Sequence, residues 1–132
     1  MRTYRLANAG ALLITKTAIA GHEGIKVLSL LVDTGSSYTI IPFEALESCG
    51  CSPAESKKHL RIVTGSGFIV APVVQLNWFS SLGIKIDNFN VVAHTLPFSG
   101  PIDGLLGMDL LGMIKARIDL ENSLIEIPHE GT

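Results

Sequence analysis

The sequence predicts an all-β domain with one or two short helices, and three observations lead there. Runs of Val, Ile, Leu, Thr and Phe, residues that fit a pleated and half-buried surface, recur along the whole chain. Gly, Pro and Asn separate these runs at short intervals, which is the punctuation of short strands joined by tight turns. The 132 residues are 47% hydrophobic and only 17% charged, enough apolar material for a sizeable core with little tail. A single domain over residues 1–132 is therefore expected.

Strands are expected near 11–20, 25–32, 38–41, 61–64, 67–78, 83–94 and 115–127, the last being two strands joined at Glu121-Asn122. The first follows Arg2 and Arg5 and ends in Ala18-Ile19-Ala20, imitating a signal peptide with a small-residue cleavage site. Lys16 interrupts that pattern, and the β-rich residues lead straight into a second strand, so the segment reads as a strand. Turn residues cluster at Ala20-Gly21-His22-Glu23-Gly24, at Ser80-Ser81-Leu82-Gly83, and in the final hairpin between Ile118 and Ile125. Pro42 suits a first helical position, Phe43-Glu44-Ala45-Leu46-Glu47 favours helix, and Gly50 stands where a left-handed cap would end it. A second helix is expected at Met108-Asp109-Leu110-Leu111-Gly112-Met113, weakened by Gly112.

Charge and composition exclude several functions. A formal net charge of −2 without a long Lys/Arg run gives no footprint for nucleic acid or an anionic membrane surface. No apolar run approaches the ~20 residues that span a bilayer, so a soluble, cytoplasmic protein is expected. Cys49 and Cys51 are too close for an unstrained disulfide and too few for a zinc site, and read as two ordinary thiols beside a turn. His22, His59, His94 and His129 are scattered, so no metal or other cofactor is expected. There is no phosphate loop, no His-Glu-x-x-His and no Gly-x-Ser-x-Gly elbow.

The chemistry concentrates in Leu30-Leu31-Val32-Asp33-Thr34-Gly35-Ser36-Ser37-Tyr38-Thr39-Ile40-Ile41-Pro42. Asp33 ends an apolar run that alternates poorly and so reads as buried on both faces, a costly place for a charge unless donors surround it. Thr34 offers a hydroxyl, Gly35 permits a turn that aims main-chain N–H groups at the acid, and Ser36 and Ser37 add donors. The bland alternative is a polar turn between strands, since Asp, Gly and Ser are ordinary turn residues. Trp78 and Phe79 read as core aromatics rather than a substrate platform, and Asp103 and Asp109 as structural acids.

The flanked Asp33-Thr34-Gly35-Ser36 stretch resembles the active-site loop of aspartic proteases. A second element, Asp103-Gly104-Leu105-Leu106-Gly107-Met108-Asp109-Leu110-Leu111, is similar to the hydrophobic-hydrophobic-glycine segment that passes beneath that loop in the family. The tail Ile118-Asp119-Leu120 with Leu124-Ile125-Glu126-Ile127 resembles the closing hairpin of the single-domain, retropepsin-like branch, and the likeness covers residues 11 to 127. That branch includes retroviral proteases, the protease domain of DNA-damage-inducible ubiquitin-shuttle proteins, and small bacterial relatives. The resemblance implies a closed, barrel-like acid protease fold and an aspartic endopeptidase without metal or cofactor.

It also implies a partner. The family's chemistry needs two carboxylates about 3 Å apart sharing one proton, one taking a proton from water while the other protonates the scissile carbonyl. This chain has one Asp-Thr-Gly, so a two-fold homodimer acting on peptide or protein substrate is expected, with Asp33 from each subunit. Thr34 would reach across the axis, Gly35 would fix the carboxylate, and Ser36 would donate to its ionised form. Leu105, Leu106 and Gly107 would support the site. The flap expected over the substrate is Ile62 to Val70, with Thr64, Gly65, Ser66 and Gly67 at its tip. Its separation from Asp33 is longer than in compact viral enzymes, the helix at 42–49 and Ser52-Pro53-Ala54 filling the difference. The competing reading is a weak or inactive protease-fold domain that binds peptides or dimerises, and excision from a longer parent is a third.

Overall fold

The structure is a computed structural model and describes residues 1–64, 67–97 and 100–128. In chain order its strands begin with β1 (Arg2–Arg5), β2 (Ala7–Ala9), β3 (Leu12–Gly21), β4 (Gly24–Val32) and β5 (Ile40–Ile41). Helix α1 (Phe43–Ser48) and a single 3-10 turn, Pro53–Glu55, precede β6 (His59–Thr64), β7 (Gly67–Gln75), β8 (Trp78–Ser81), β9 (Ile84–Asp87) and β10 (Asn90–Ala93). The chain closes with β11 (Gly104–Leu106), α2 (Met108–Met113), β12 (Arg117–Asp119) and β13 (Leu124–Ile127). The fold is thus all-β with two short helices, as the residue pattern predicts.

Ten strands form one sheet in the order β6-β7-β10-β5-β11-β4-β3-β8-β9, with β2 paired to β3, and β1-β13-β12 form a second. The apolar residues between them make one continuous core, in which Ile19, Leu30, Ile41, Leu46, Phe79 and Leu106 are fully buried. A satellite cluster of Ile40, Ala71 and Val92, with Leu60, Ile62 and Leu105 against it, lies under the β6–β7 hairpin.

The sheet path puts β11 between β4, to which it runs parallel, and β5, to which it is antiparallel. Consecutive strands β4 and β5 are therefore not neighbours, and the segment joining them, residues 33–39, must pass over the end of the inserted strand. Glycine makes the insertion possible at its entry, where a Cβ on Gly104 would stand 2.2 Å from the Ile40 carbonyl oxygen.

Several sequence expectations shift. The run 67–78 is not one strand: it ends at Gln75, and Trp78 starts a new strand beside β3. The run 83–94 is likewise divided, because Asn88 takes a left-handed backbone (φ 55°) between β9 and β10. Periodicity alone could not see either break, since apolar residues continue through both. β1, β2 and β11 were not expected as strands, and β5 begins at Ile40 rather than residue 38. Leu82 and Gly83 alone turn the β8–β9 hairpin, both with positive φ, so Ser80 and Ser81 belong to the strand. Phe79 is core, but Trp78 is half-buried on the outside of the sheet, with Lys85 Nζ 5.1 Å from its ring centre.

Helix α1 begins one residue later than expected, with Pro42 extended (ψ 149°) as the cap before it. Six residues are far too few for a helix stable on its own. Burial of Leu46, a contribution of about 2 kcal/mol, and a closed C-terminus hold it instead. Gly50, at φ 87°, donates to Glu47 O while Cys51 N–H donates to Leu46 O. Cys49 and Cys51 are both unbridged and buried here. Burial, together with neighbouring Cys51, pushes the Cys49 thiol up to about 11 and makes it a poor nucleophile.

The same closing motif ends α2, where Lys115 N–H donates to Gly112 O and Ala116 N–H to Leu111 O. Here the left-handed position (φ 56°) is occupied by an exposed lysine. Lys115→Gly is expected to stabilise the protein by about 1 kcal/mol, read as a rise in the urea midpoint. An unchanged or lowered midpoint would mean that the lysine stem contributes more than its backbone strain costs.

Candidate active site

The site begins where β4 stops. Leu30 is fully buried near the strand's end, whereas Leu31, Val32 and Asp33 are each half-buried, so the apolar run is not covered on both faces within one chain. Asp33 N–H continues the strand pairing by donating to Leu106 O at 3.0 Å, which fixes its backbone to β11. The chain then turns, and Gly35 N–H donates to Asp33 Oδ1 at 2.9 Å. Ser36 N–H donates to Asp33 O at 3.2 Å and closes the turn.

Gly35 matters for a reason other than the one its residue type suggests. Its φ is not left-handed; instead a Cβ there would lie 3.2 Å from Asp33 Oδ1, crowding the carboxylate. The Ser36 hydroxyl, expected to donate to the acid, donates to Tyr38 O at 2.7 Å instead. One main-chain N–H therefore orients the carboxylate, and the serine braces the loop. Thr34 is exposed, and its hydroxyl makes no hydrogen bond to another described residue.

The rest of the loop is held from below by residues that sequence reasoning read only as structural. Thr39 is fully buried: its N–H donates to Asp109 Oδ2 at 2.9 Å and its hydroxyl to Asp109 Oδ1 at 2.7 Å. Thr39 Oγ1 in turn accepts from Gly107 N–H at 3.2 Å, and Asp109 Oδ1 also accepts from Leu110 N–H at 2.8 Å. Met108 N–H donates to Ser36 O at 2.7 Å. The loop after Asp33 and the turn after β11 are thus cross-linked by Thr39, Asp109 and Ser36. Leu106 and Gly107 supply backbone to this junction, while Leu105 pairs with Ile40 and joins the cluster under the hairpin. The one signal available beforehand was a threonine set between apolar residues, a position that demands a partner.

Asp103 has a separate role, donating N–H to Ser29 O and accepting from Ser29 N–H, both at 2.8 Å, where the chain enters β11. Asp103 and Asp109 each accept from backbone N–H groups.

Asp109→Ala removes three acceptor contacts and leaves the buried Thr39 amide and the Thr39 hydroxyl proton without an acceptor. A loss of about 3 kcal/mol in unfolding free energy is expected, against about 1 kcal/mol for Asp109→Asn, which keeps one carbonyl acceptor. Urea titration of the two variants checks the ordering; equal losses would show that the aspartate acts only through its charge.

The β6–β7 hairpin packs its base, through Leu60 and Ile62, into the cluster of Ile40 and Leu105, with Val63, Phe68 and Val70 exposed along it and the Arg61 guanidinium 4.3 Å from the Phe68 ring centre. Thr64 pairs with Gly67, whose φ is 137°, at its end. The expected tip residues Gly65 and Ser66 lie outside the described residues, as does the Thr64 side chain. Among the described residues no group of three or more His, Cys, Asp or Glu side chains is arranged to hold a metal, and no helix is long and apolar enough to cross a membrane.

An Asp-Thr-Gly loop strapped over a strand that enters between its own two flanking strands defines the half-barrel of an aspartic protease. The aspartyl protease family model matches residues 16–110, and the chain belongs to that family. Its fold is that of a retropepsin-like aspartic protease from Rickettsia conorii, with a TM-score of 0.70 and 21% identity over 94% of this chain and 88% of that one. It is also 28% identical over 117 residues to the UBA domain-containing protein Mud1 of Schizosaccharomyces pombe. That match covers 88% of this chain but spans only 33% of the relative.

Proposed function

We propose that this chain is an aspartic endopeptidase in which two copies meet about a two-fold axis and pool their Asp33 carboxylates. The observation that carries this reading is the state of Asp33 itself. One oxygen is fixed by the Gly35 N–H at 2.9 Å, yet the residue stays half-exposed, beside an exposed Thr34. A turn acid serving only the fold would be consumed by its own donors, as Asp109 is.

In the dimer the paired carboxylates hold one proton between them, because both cannot ionise at that distance. The ionised member takes a proton from water as the oxygen attacks the scissile carbonyl carbon, and the protonated member donates to the carbonyl oxygen. Thr34 of each copy bonds across the axis, and Ser36 contributes to the substrate-binding wall. The β6–β7 hairpin, including Thr64, Gly65, Ser66 and Gly67, closes as the flap and excludes bulk water. Leu105, Leu106 and Gly107 hold the loop from beneath. The substrate is a peptide or protein segment in extended form.

The test is cleavage of a diverse peptide mixture between about pH 3 and pH 7 over a range of protein concentrations. Activity per subunit is expected to rise to a maximum on the acidic side and to fall on dilution as dimers dissociate. Constant activity per subunit at concentrations where the protein is monomeric would sink the shared site. Peptide binding without turnover at any pH would instead identify a recognition module on the same fold.

A further inference from the structure

A cavity of about 350 Å³ lies between the β6–β7 hairpin and the end of the Asp33 loop. Its walls include Leu60 and Val73 from the hairpin, Phe89 from the segment joining β9 to β10, and Tyr38 and Asp109 from the catalytic-loop junction. That volume is at the low end for ligand sites and suits one or two side chains rather than a cofactor. Leu60, Val73 and Phe89 are all half-buried, so an apolar occupant would complete their burial.

Charge narrows the occupant further. Asp109 lines the cavity, but its oxygens already accept from Thr39 and Leu110. Lys58, also in the lining, is exposed and forms no ion pair with a described residue. Of its neighbours in the stretch Lys57-Lys58-His59-Leu60-Arg61, only Leu60 shares the cavity wall with it. Lys58 is thus the one cationic side chain lining a mainly apolar cavity.

Resting on the endopeptidase reading above, we infer that this cavity is a specificity subsite, and that it selects substrates carrying a large apolar residue beside an aspartate or glutamate. The apolar side chain fills the space between Leu60, Val73 and Phe89, and the carboxylate meets Lys58. Lys58 is the residue that sets the charge preference.

Sequencing the products cut from a random peptide library by the wild-type protein and by Lys58→Glu tests this directly. Wild type is expected to enrich a large apolar residue next to Asp or Glu at a constant distance from the cut. In Lys58→Glu the acidic-to-basic ratio at that position should fall about fivefold or more. Val73→Phe, which narrows the cavity, should shift the neighbouring preference toward small side chains. An acidic-to-basic ratio unchanged in Lys58→Glu, with thermal unfolding showing an intact fold, would overturn the assignment. Binding of fluorescent Phe-Glu and Phe-Lys peptides to Asp33→Asn protein separates this inference from the protease reading. A Lys58-dependent preference for Phe-Glu in that protein supports the subsite even if wild type cuts nothing, and equal binding of both peptides refutes it even if wild type cuts well.

Discussion

Asp33→Asn is expected to lower peptide cleavage by about 10⁴-fold or more while leaving the fold and the dimer in place. The reason is chemical rather than structural. An asparagine side-chain oxygen can still accept from Gly35 N–H, so the 2.9 Å contact that orients residue 33 survives. What disappears is the group able to take a proton from water, and the amide cannot replace it at any accessible pH. Because the proposed site takes one aspartate from each copy, a mixed dimer with a single Asp33→Asn subunit should be as inactive as the double variant. Measuring kcat for a wild-type/variant tandem fusion checks this. Half the wild-type activity would mean that each chain carries a complete site and that the pairing is wrong.

A large structural effect is expected at Gly107. A Cβ there would lie 2.4 Å from Tyr38 O, 2.5 Å from Tyr38 C and 2.9 Å from Ser36 O. All three are backbone atoms of the loop crossing above, so no side chain can swing aside to relieve the clash. The loop must lift, breaking the Met108-to-Ser36 and Gly107-to-Thr39 bonds that anchor it. Gly107→Ala should therefore cost about 3 kcal/mol or more, a large share of the 5–15 kcal/mol that holds a typical domain. It should also abolish activity in whatever fraction still folds. Gly112→Ala is the control, since a Cβ there meets nothing within 4 Å and the residue lies on the exposed side of α2. That change should stabilise by up to about 1 kcal/mol. If urea unfolding places the two variants together, the crossing of loop and strand is looser than the distances indicate.

These two sites differ in how visible they are from residues alone. Asp33, Thr34 and Gly35 are legible because the flanked Asp-Thr-Gly-Ser stretch resembles the family's loop, whereas the residues by themselves also allow an ordinary polar turn. Leu105-Leu106-Gly107 is legible as an element that belongs with them. The partnership of Thr39 with Asp109 is not, because the residues are 70 positions apart and each has ordinary local roles. Nor is the fate of the Ser36 hydroxyl: a serine beside an acid offers a donor, and only the loop's curvature decides that Tyr38 O is the nearer acceptor.

The sequence by itself determined the all-β class, both helices and the final hairpin, because those features follow from local propensity, turn residues and short-range pattern, and its Asp-Thr-Gly stretch marked the loop by resemblance. Tertiary structure alone decided that β11 enters between β4 and β5, that Gly104 and Gly107 must lack side chains, and that the partner of Asp109 is Thr39. It also decided where 67–78 and 83–94 break, since a continuous apolar run carries no mark of the point at which the sheet needs it to change partners. The physical reason is common to all of these. Local pattern records which surface a residue prefers to bury, whereas contacts between distant strands are fixed only when hydrogen bonds and steric limits are satisfied together in three dimensions.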